Sequence, residues 1–88
     1  MKRSTGFMAD INFTDKQGQY LAFIHAYIKI NQRSPAEADI QRYFKVTPPT
    51  VHQMILKLEK LGLIEKQTRT ARSIRVLLPS DKIPILVD

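Results

Sequence analysis

Apolar residues return at spacings of three and four from Tyr20 onward, through Phe23, Ile24, Tyr27 and Ile28, with Leu21 and Ile30 at the flanks. That spacing predicts an amphipathic helix with a broad apolar face. Its start is marked by Thr14-Asp15-Lys16-Gln17, a Thr-x-x-Gln capping box, and the pattern carries it to about Asn31. Gly18 is a mild weakness in the first turn. A second start follows at Ser34-Pro35-Ala36-Glu37, where Ser can cap, Pro suits the first helical position and Glu at the third closes a box. Ala36, Ile40, Tyr43 and Phe44 then make one stripe, so this second helix is short.

Val46 should plug the core, and Thr47-Pro48-Pro49-Thr50 opens a third helix with Thr47 extended, since a proline disfavours helical geometry in the residue before it. On this helix Val51, Ile55, Leu58 and Gly62 fall on one side at about 100° per residue, and Thr50, Gln53, Lys57 and Lys60 fall on the other. Met54 and Leu61 lie at the border. Gly62 is placed to end the helix in a left-handed conformation. Beyond it Leu63 to Lys66 reads as a strand, Gln67 to Ala71 as a loop, and Arg72 to Leu78 as a second strand with Ile74, Val76 and Leu78 on one face. Pro79 ends that strand, and the last segment, with Ile83-Pro84-Ile85-Leu86-Val87, is too apolar to be a solvated tail by preference.

The chain has 88 residues, enough for one domain, and a net charge of +6. A chain this short buries only about 60% of its unfolded surface, which leaves few apolar residues for a deep substrate pocket. It has no cysteine, hence no disulfide, thiolate nucleophile or thiolate metal site. No apolar run approaches the roughly 18 residues of a membrane span and no signal-peptide stretch opens the chain, so a cytoplasmic protein is expected. Up to Phe44 there are six basic and four acidic residues; after it there are eight and four. Lys66, Arg69, Arg72 and Arg75 follow one another with no acid among them, while all seven aromatics lie in the first half. Basic charge without rings on which bases could stack favours a duplex held by its phosphates over a single strand.

A longer helix, a short helix, a tight turn, a third helix with a polar outer face and a basic hairpin make a winged helix-turn-helix, mainly α with a small β-hairpin: three helices plus wing. Docked by Val51, Ile55 and Leu58, the third helix would offer its outer residues to base edges, while its aligned N-terminal amides and the guanidinium groups of the hairpin hold phosphates. The sequence resembles the winged-helix DNA-binding domain of LexA-type repressors from about Phe13 to Leu78. The matching residues are Gln19-Tyr20-Leu21-Ala22-Phe23-Ile24-His25-Ala26-Tyr27-Ile28, Ser34-Pro35-Ala36-Glu37-Ala38-Asp39-Ile40, Thr50-Val51-His52, Leu58-Glu59-Lys60-Leu61-Gly62-Leu63-Ile64 and Ala71-Arg72-Ser73-Ile74-Arg75-Val76-Leu77. The turn from Phe44 to Pro49 is a residue shorter than is usual in that family and lacks its Gly, a trait nearer to small stand-alone or MarR-like winged-helix regulators. A stand-alone domain without the family's self-cleaving protease half is expected.

The resemblance places DNA-reading residues at the start and outer face of the third helix, which here are Thr47, Thr50, Gln53, Met54 and Lys57. Their chemistry suits different roles: Gln53 can pair bidentately with adenine, Lys57 can donate to guanine or phosphate, Thr50 and Met54 can meet a thymine methyl, and Thr47 can donate to phosphate. Arg69 at the wing tip is placed for a minor groove, with Lys66 and Arg72 along the backbone. Plainer roles compete: Lys60 as a solvated lysine, Arg75 lying against its own domain, Met54 as core edge, His52 packing locally, and the aromatics as core. The chain divides into an N-terminal arm (1–12), a winged-helix DNA-binding domain (13–79) and a C-terminal tail (80–88) that is a candidate dimer contact. The recognition helix spans about 48–61 and the basic wing about 63–78.

The expected function is a sequence-specific double-stranded DNA-binding transcriptional regulator, acting as a homodimer, with no cofactor or metal and with no small-molecule effector evident in the sequence. The competing reading is a winged-helix protein–protein interaction module that uses Leu56, Leu61 and the apolar tail. An enzyme is not expected, because no nucleophile–base pair, metal set or phosphate loop is present in the sequence.

Overall fold

The computed structural model describes residues 12–87. The predicted arm therefore lies outside the described residues except for Asn12, and so does Phe7. Within them the order is α1 (Asp15–Asn31), α2 (Glu37–Phe44), α3 (Pro48–Lys60), β1 (Ile64–Glu65), β2 (Arg75–Val76) and a 3₁₀ turn (Ser80–Lys82). β1 and β2 pair antiparallel, with Ile64 opposite Val76 and Glu65 opposite Arg75. This is the expected mainly helical winged helix-turn-helix.

α1 begins as its capping box dictates: the Thr14 amide donates to Gln17 Oε1 (2.9 Å) and the Gln17 amide to Thr14 Oγ1 (3.1 Å). α2 begins differently from expectation. Its N-cap is Ala36, and Asp39 reaches back so that Oδ2 accepts the Ala36 amide at 2.9 Å. Ser34 is therefore not the cap; it is buried, and its Oγ accepts the Ile74 amide at 3.0 Å, which ties the α1–α2 connection to the wing. α3 starts on an extended Thr47 with Pro48 in its first turn, as expected. It ends in a Schellman motif, with Gly62 at φ 78°, its amide donating to the Glu59 carbonyl and the Leu63 amide to the Leu58 carbonyl, each at 3.0 Å. Leu58 and Leu63 are both buried, so the motif also steers the chain back into the core.

One core forms from Tyr20, Leu21 and Ile24 of α1, Ile40 of α2, Val51, Ile55 and Leu58 of α3, and Leu63, Ile64, Ile74 and Leu78 around the hairpin. Leu21, placed at a flank by its spacing, is fully buried, whereas Ile30 is exposed, because the core wraps α1 mainly along its N-terminal half. Between α1 and α2 the Tyr20 and Phe44 rings stack at 4.3 Å and 2°, and Phe23 packs on Tyr43 at 4.6 Å. The strands are shorter than predicted, since Arg69 and Arg72 adopt left-handed backbone conformations (φ 59° and 54°) that break the second strand before Arg75.

After Pro79 the chain folds back on α1. Ile83 packs against the core, Gln19 Nε2 donates to the Ile85 carbonyl (3.0 Å), and the Val87 amide donates to Gln19 Oε1 (2.8 Å). Gly18 is what admits this path: a Cβ there would lie 2.9 Å from both the Phe13 ring and Pro84 Cγ. The residue that weakens the helix locally is the one that lets the tail close on it.

Tyr20 is 1% exposed, its pKa is raised by burial, and its hydroxyl has no hydrogen-bond partner among the described residues. Tyr20→Phe keeps the stacked ring and removes a desolvated hydroxyl, a group whose burial costs about 1–3 kcal/mol. Thermal unfolding should therefore show a higher Tm for the variant, and a lower one would mean that the hydroxyl makes a bond. The Asp39 carboxyl titrates below the usual aspartate value, held there first by the Ala36 amide and then by Arg42, Arg72 and Tyr27. Its lowered pKa contributes stability that is full above the unfolded value of about 3.9 and is lost as pH falls from there through the folded value. Tm for wild type and Asp39→Asn should differ at neutral pH and converge in acid once the carboxyl is protonated in both the folded and the unfolded chain; a gap that persists there would place the effect elsewhere.

Candidate nucleic-acid interface

Burial of Val51, Ile55 and Leu58 fixes the rotation of α3 and leaves Thr50, Gln53 and Lys57 on its exposed side, one helical turn apart in succession. Thr47 stands exposed at the cap, and its Oγ1 lies 2.9 Å from Thr50 Oγ1. One of the two hydroxyls donates to the other, so the pair keeps one free O–H for an outside acceptor. These four expected residues are brought together. Met54 is not equivalent to them: it is half-buried against the core, because it sits three residues after Val51 and four before Leu58, on the edge of the buried stripe.

The phosphate-holding role expected for the α3 amides is narrowed by two prolines. Pro48 and Pro49 occupy the first two helical positions and have no N–H, which leaves the Thr50 amide as the single donor among the first three. Lys45, just upstream, takes the left-handed conformation (φ 57°) that glycine usually supplies at a helix end, and it is exposed. Its position between two helices, two residues before the extended Thr47 that enters α3, is the signal in the sequence that marks it.

The wing places its cations unequally. Arg69 is exposed at the turn, as expected. Lys66 is half-buried and its Nζ lies 3.3 Å from Glu37 Oε2, while Glu37 Oε1 lies 3.4 Å from His52 Nδ1 on α3. Arg75 pairs with Glu65 directly across the ladder. Arg72, expected along the DNA backbone, is exposed but engaged by its own domain. Its Nη1 lies 3.0 Å from Asp39 Oδ2, 3.1 Å from the Tyr27 hydroxyl and 3.3 Å from the Ser34 carbonyl, three acceptors shared by two hydrogens. The left-handed turn at Arg72 aims its side chain at α2, and its nearest partner is a carboxylate whose side chain is 15% exposed. Ser73 closes the wing turn, accepting the Gln67 amide at 2.9 Å with its Oγ at 2.9 Å from the Thr70 carbonyl.

Among the described residues, Lys45, Lys57, Lys60 and Arg69 have no ion-pair partner. They are the cations free to meet an external anion near α3 and the wing turn. No described helix is long and apolar enough to cross a membrane.

Comparison with known proteins agrees with this geometry. Residues 12–71 match the family model of the iron dependent repressor, N-terminal DNA binding domain. The chain is 39% identical over 74 residues to the LexA repressor of Thermosipho melanesiensis, covering 84% of this chain and 37% of that protein. It is 33% identical over 76 residues to the LexA repressor of Thermotoga petrophila, covering 85% and 39%. The chain thus spans less than two fifths of the length of these curated relatives. The family's description speaks of iron, but no group of three or more His, Cys, Asp or Glu side chains among the described residues converges to hold a metal ion, so the residues do not fit one. A winged helix with a polar α3 face, ringed by unpaired cations and matched over most of its length, belongs to the family of iron-dependent repressor N-terminal DNA-binding domains.

Proposed function

We propose that this domain binds double-stranded DNA sequence-specifically and regulates transcription in the manner of the LexA repressors it is similar to, with α3 in the major groove and the wing turn on the backbone or in the minor groove. The observation that carries this reading is the two-sided character of α3: one stripe buried to near zero exposure, the opposite stripe holding Thr50, Gln53 and Lys57 beside the unpaired Lys45, Lys60 and Arg69. Gln53 reads a base, Lys57 donates to guanine or phosphate, the Thr47–Thr50 hydroxyl pair holds a phosphate at the groove edge, and Arg69 holds the flanking backbone. Met54 contributes at most its exposed edge to a thymine methyl. Lys66 acts chiefly within the domain.

Selection of bound duplex from a random library, followed by titration at several salt concentrations, tests this. Gln53→Ala should change preference at one base pair, at a cost of about 1–3 kcal/mol there. Lys57→Ala should flatten the dependence of log K on log salt by about 0.9, whereas Lys66→Ala should leave the slope nearly unchanged. Equal affinity for selected, random and single-stranded oligomers would remove the sequence-specific reading.

Two-fold sites need two copies, and the tail offers the contact between them. Its inner side is taken by Gln19 and the core, while Ile85 (85% exposed) and Val87 (62%) face outward. Replacing both with Asp should convert a dimer to a monomer when mass is measured in solution; a dimer that survives assigns the contact to another surface.

A further inference from the structure

The two strands of the wing share very little ladder. Two residue pairs make up the whole of it, yet the connection from Lys66 to Ile74 must keep Arg69 in a definite place. What holds that connection lies on the first turn of α2 and on the segment leading into it. On the incoming leg Lys66 Nζ is 3.3 Å from Glu37 Oε2; on the outgoing leg Arg72 Nη1 is 3.0 Å from Asp39 Oδ2 and the Ile74 amide donates to buried Ser34 Oγ at 3.0 Å. Glu37 and Asp39 both sit in the first turn of α2. The same Glu37 carboxylate meets His52 of α3, so one helical turn touches both wing legs and the recognition helix.

Arg72 carries a second mark of this role. Its backbone is left-handed at φ 54°, a conformation that is costly for a non-glycine residue and persists where surrounding contacts over-determine it. Those contacts come from three segments at once: Tyr27 of α1, Ser34 of the connection and Asp39 of α2. A lysine could keep the charge, but its ammonium ends one bond nearer the backbone than an arginine Nη, so from the same backbone position it falls short of the point where the three acceptors meet.

We propose that Arg72 and Asp39 form a latch that fixes the orientation of the wing relative to α3, so that both are positioning residues for DNA binding, acting through Arg69 and touching no DNA themselves. The latch rests on the DNA-binding reading only for its consequence; its existence is a property of the free protein. Opened, it leaves the base of the wing tethered by the ladder, the Lys66–Glu37 pair and the Ile74–Ser34 hydrogen bond, and frees the turn from Gln67 to Ser73 to reorient. Arg69 then samples many positions, and its contact with the backbone is lost to the entropy of ordering it on binding.

Two measurements on the full chain test this. In the free protein, residual dipolar couplings of the wing amides from residue 67 to 73, taken relative to those of α3, should report one fixed orientation in wild type. They should be averaged strongly toward zero in Arg72→Gln, Arg72→Lys and Asp39→Asn, with the α3 couplings unchanged. In duplex binding, Arg69→Ala should weaken wild type by about tenfold, while in the Arg72→Lys background the same change should cost less than about twofold. A side chain that merely contacted phosphate would give additive losses and be rescued by lysine, and a merely structural one would lower Tm without coupling to Arg69. Unaltered couplings in Arg72→Lys and Asp39→Asn overturn the latch, as do additive losses with Arg69→Ala; these two mild variants keep the test decisive should Arg72→Gln fail to fold. Averaged wing couplings in a protein whose wild type shows no duplex preference would support the latch and remove the DNA-binding reading instead.

Discussion

The buried stripe of α3 is the constraint on which the rest depends. In a domain this small, Val51, Ile55 and Leu58 supply a large part of the core, and each of them is at or near zero exposure. Rotating α3 by one residue would bring Thr50 or His52 inward and expose a leucine or isoleucine, at about 1.5–3 kcal/mol for each large side chain moved. The polar face is therefore set by what the opposite face must bury. The Schellman motif at Gly62 has the same effect in the other direction along the chain, since it returns Leu63 and Ile64 to the core and so decides where the wing begins. The interface follows from packing before any charge is considered.

What could be read from the sequence, and what could not, divides along the range of the interactions. α1, the Gly62 stop and the buried and exposed sides of α3 are written in spacings of three to four residues, and their caps are local as well. The start of α2 was misplaced because two local rules competed: Ser34 satisfies the pattern for a cap, but Asp39 at the third helical position closes the turn on Ala36, and Ser34 is drawn away by the Ile74 amide forty residues on. Arg72 shows the same limit more sharply. Its spacing from Arg69 and Arg75 suggested a basic edge, while its partner Asp39 lies 33 residues earlier and no periodicity links them. The meaning of Gly18 also depended on a distant residue, Pro84, and was invisible as anything but a poor helix former.

Net charge proves a weaker guide than its disposition. The run from Lys66 to Arg75 suggested four cations presented to a polyanion, but Lys66, Arg72 and Arg75 each lie beside a carboxylate of the same domain. Surface pairs of this kind add little stability each, about 0–1 kcal/mol, so their main effect is on geometry: they commit charge to holding the wing in place. Near α3 and the wing turn, the cations left to release counterions on binding DNA are Lys45, Lys57, Lys60 and Arg69, a smaller set than the sequence suggests. Two of these stand on α3, one leads into it and one tips the wing, so the free charge of this face follows the helix that the core has already oriented. Affinity for phosphate and readout of bases consequently depend on the same packing, and a substitution that loosens the α3 stripe should weaken both together even though it touches neither.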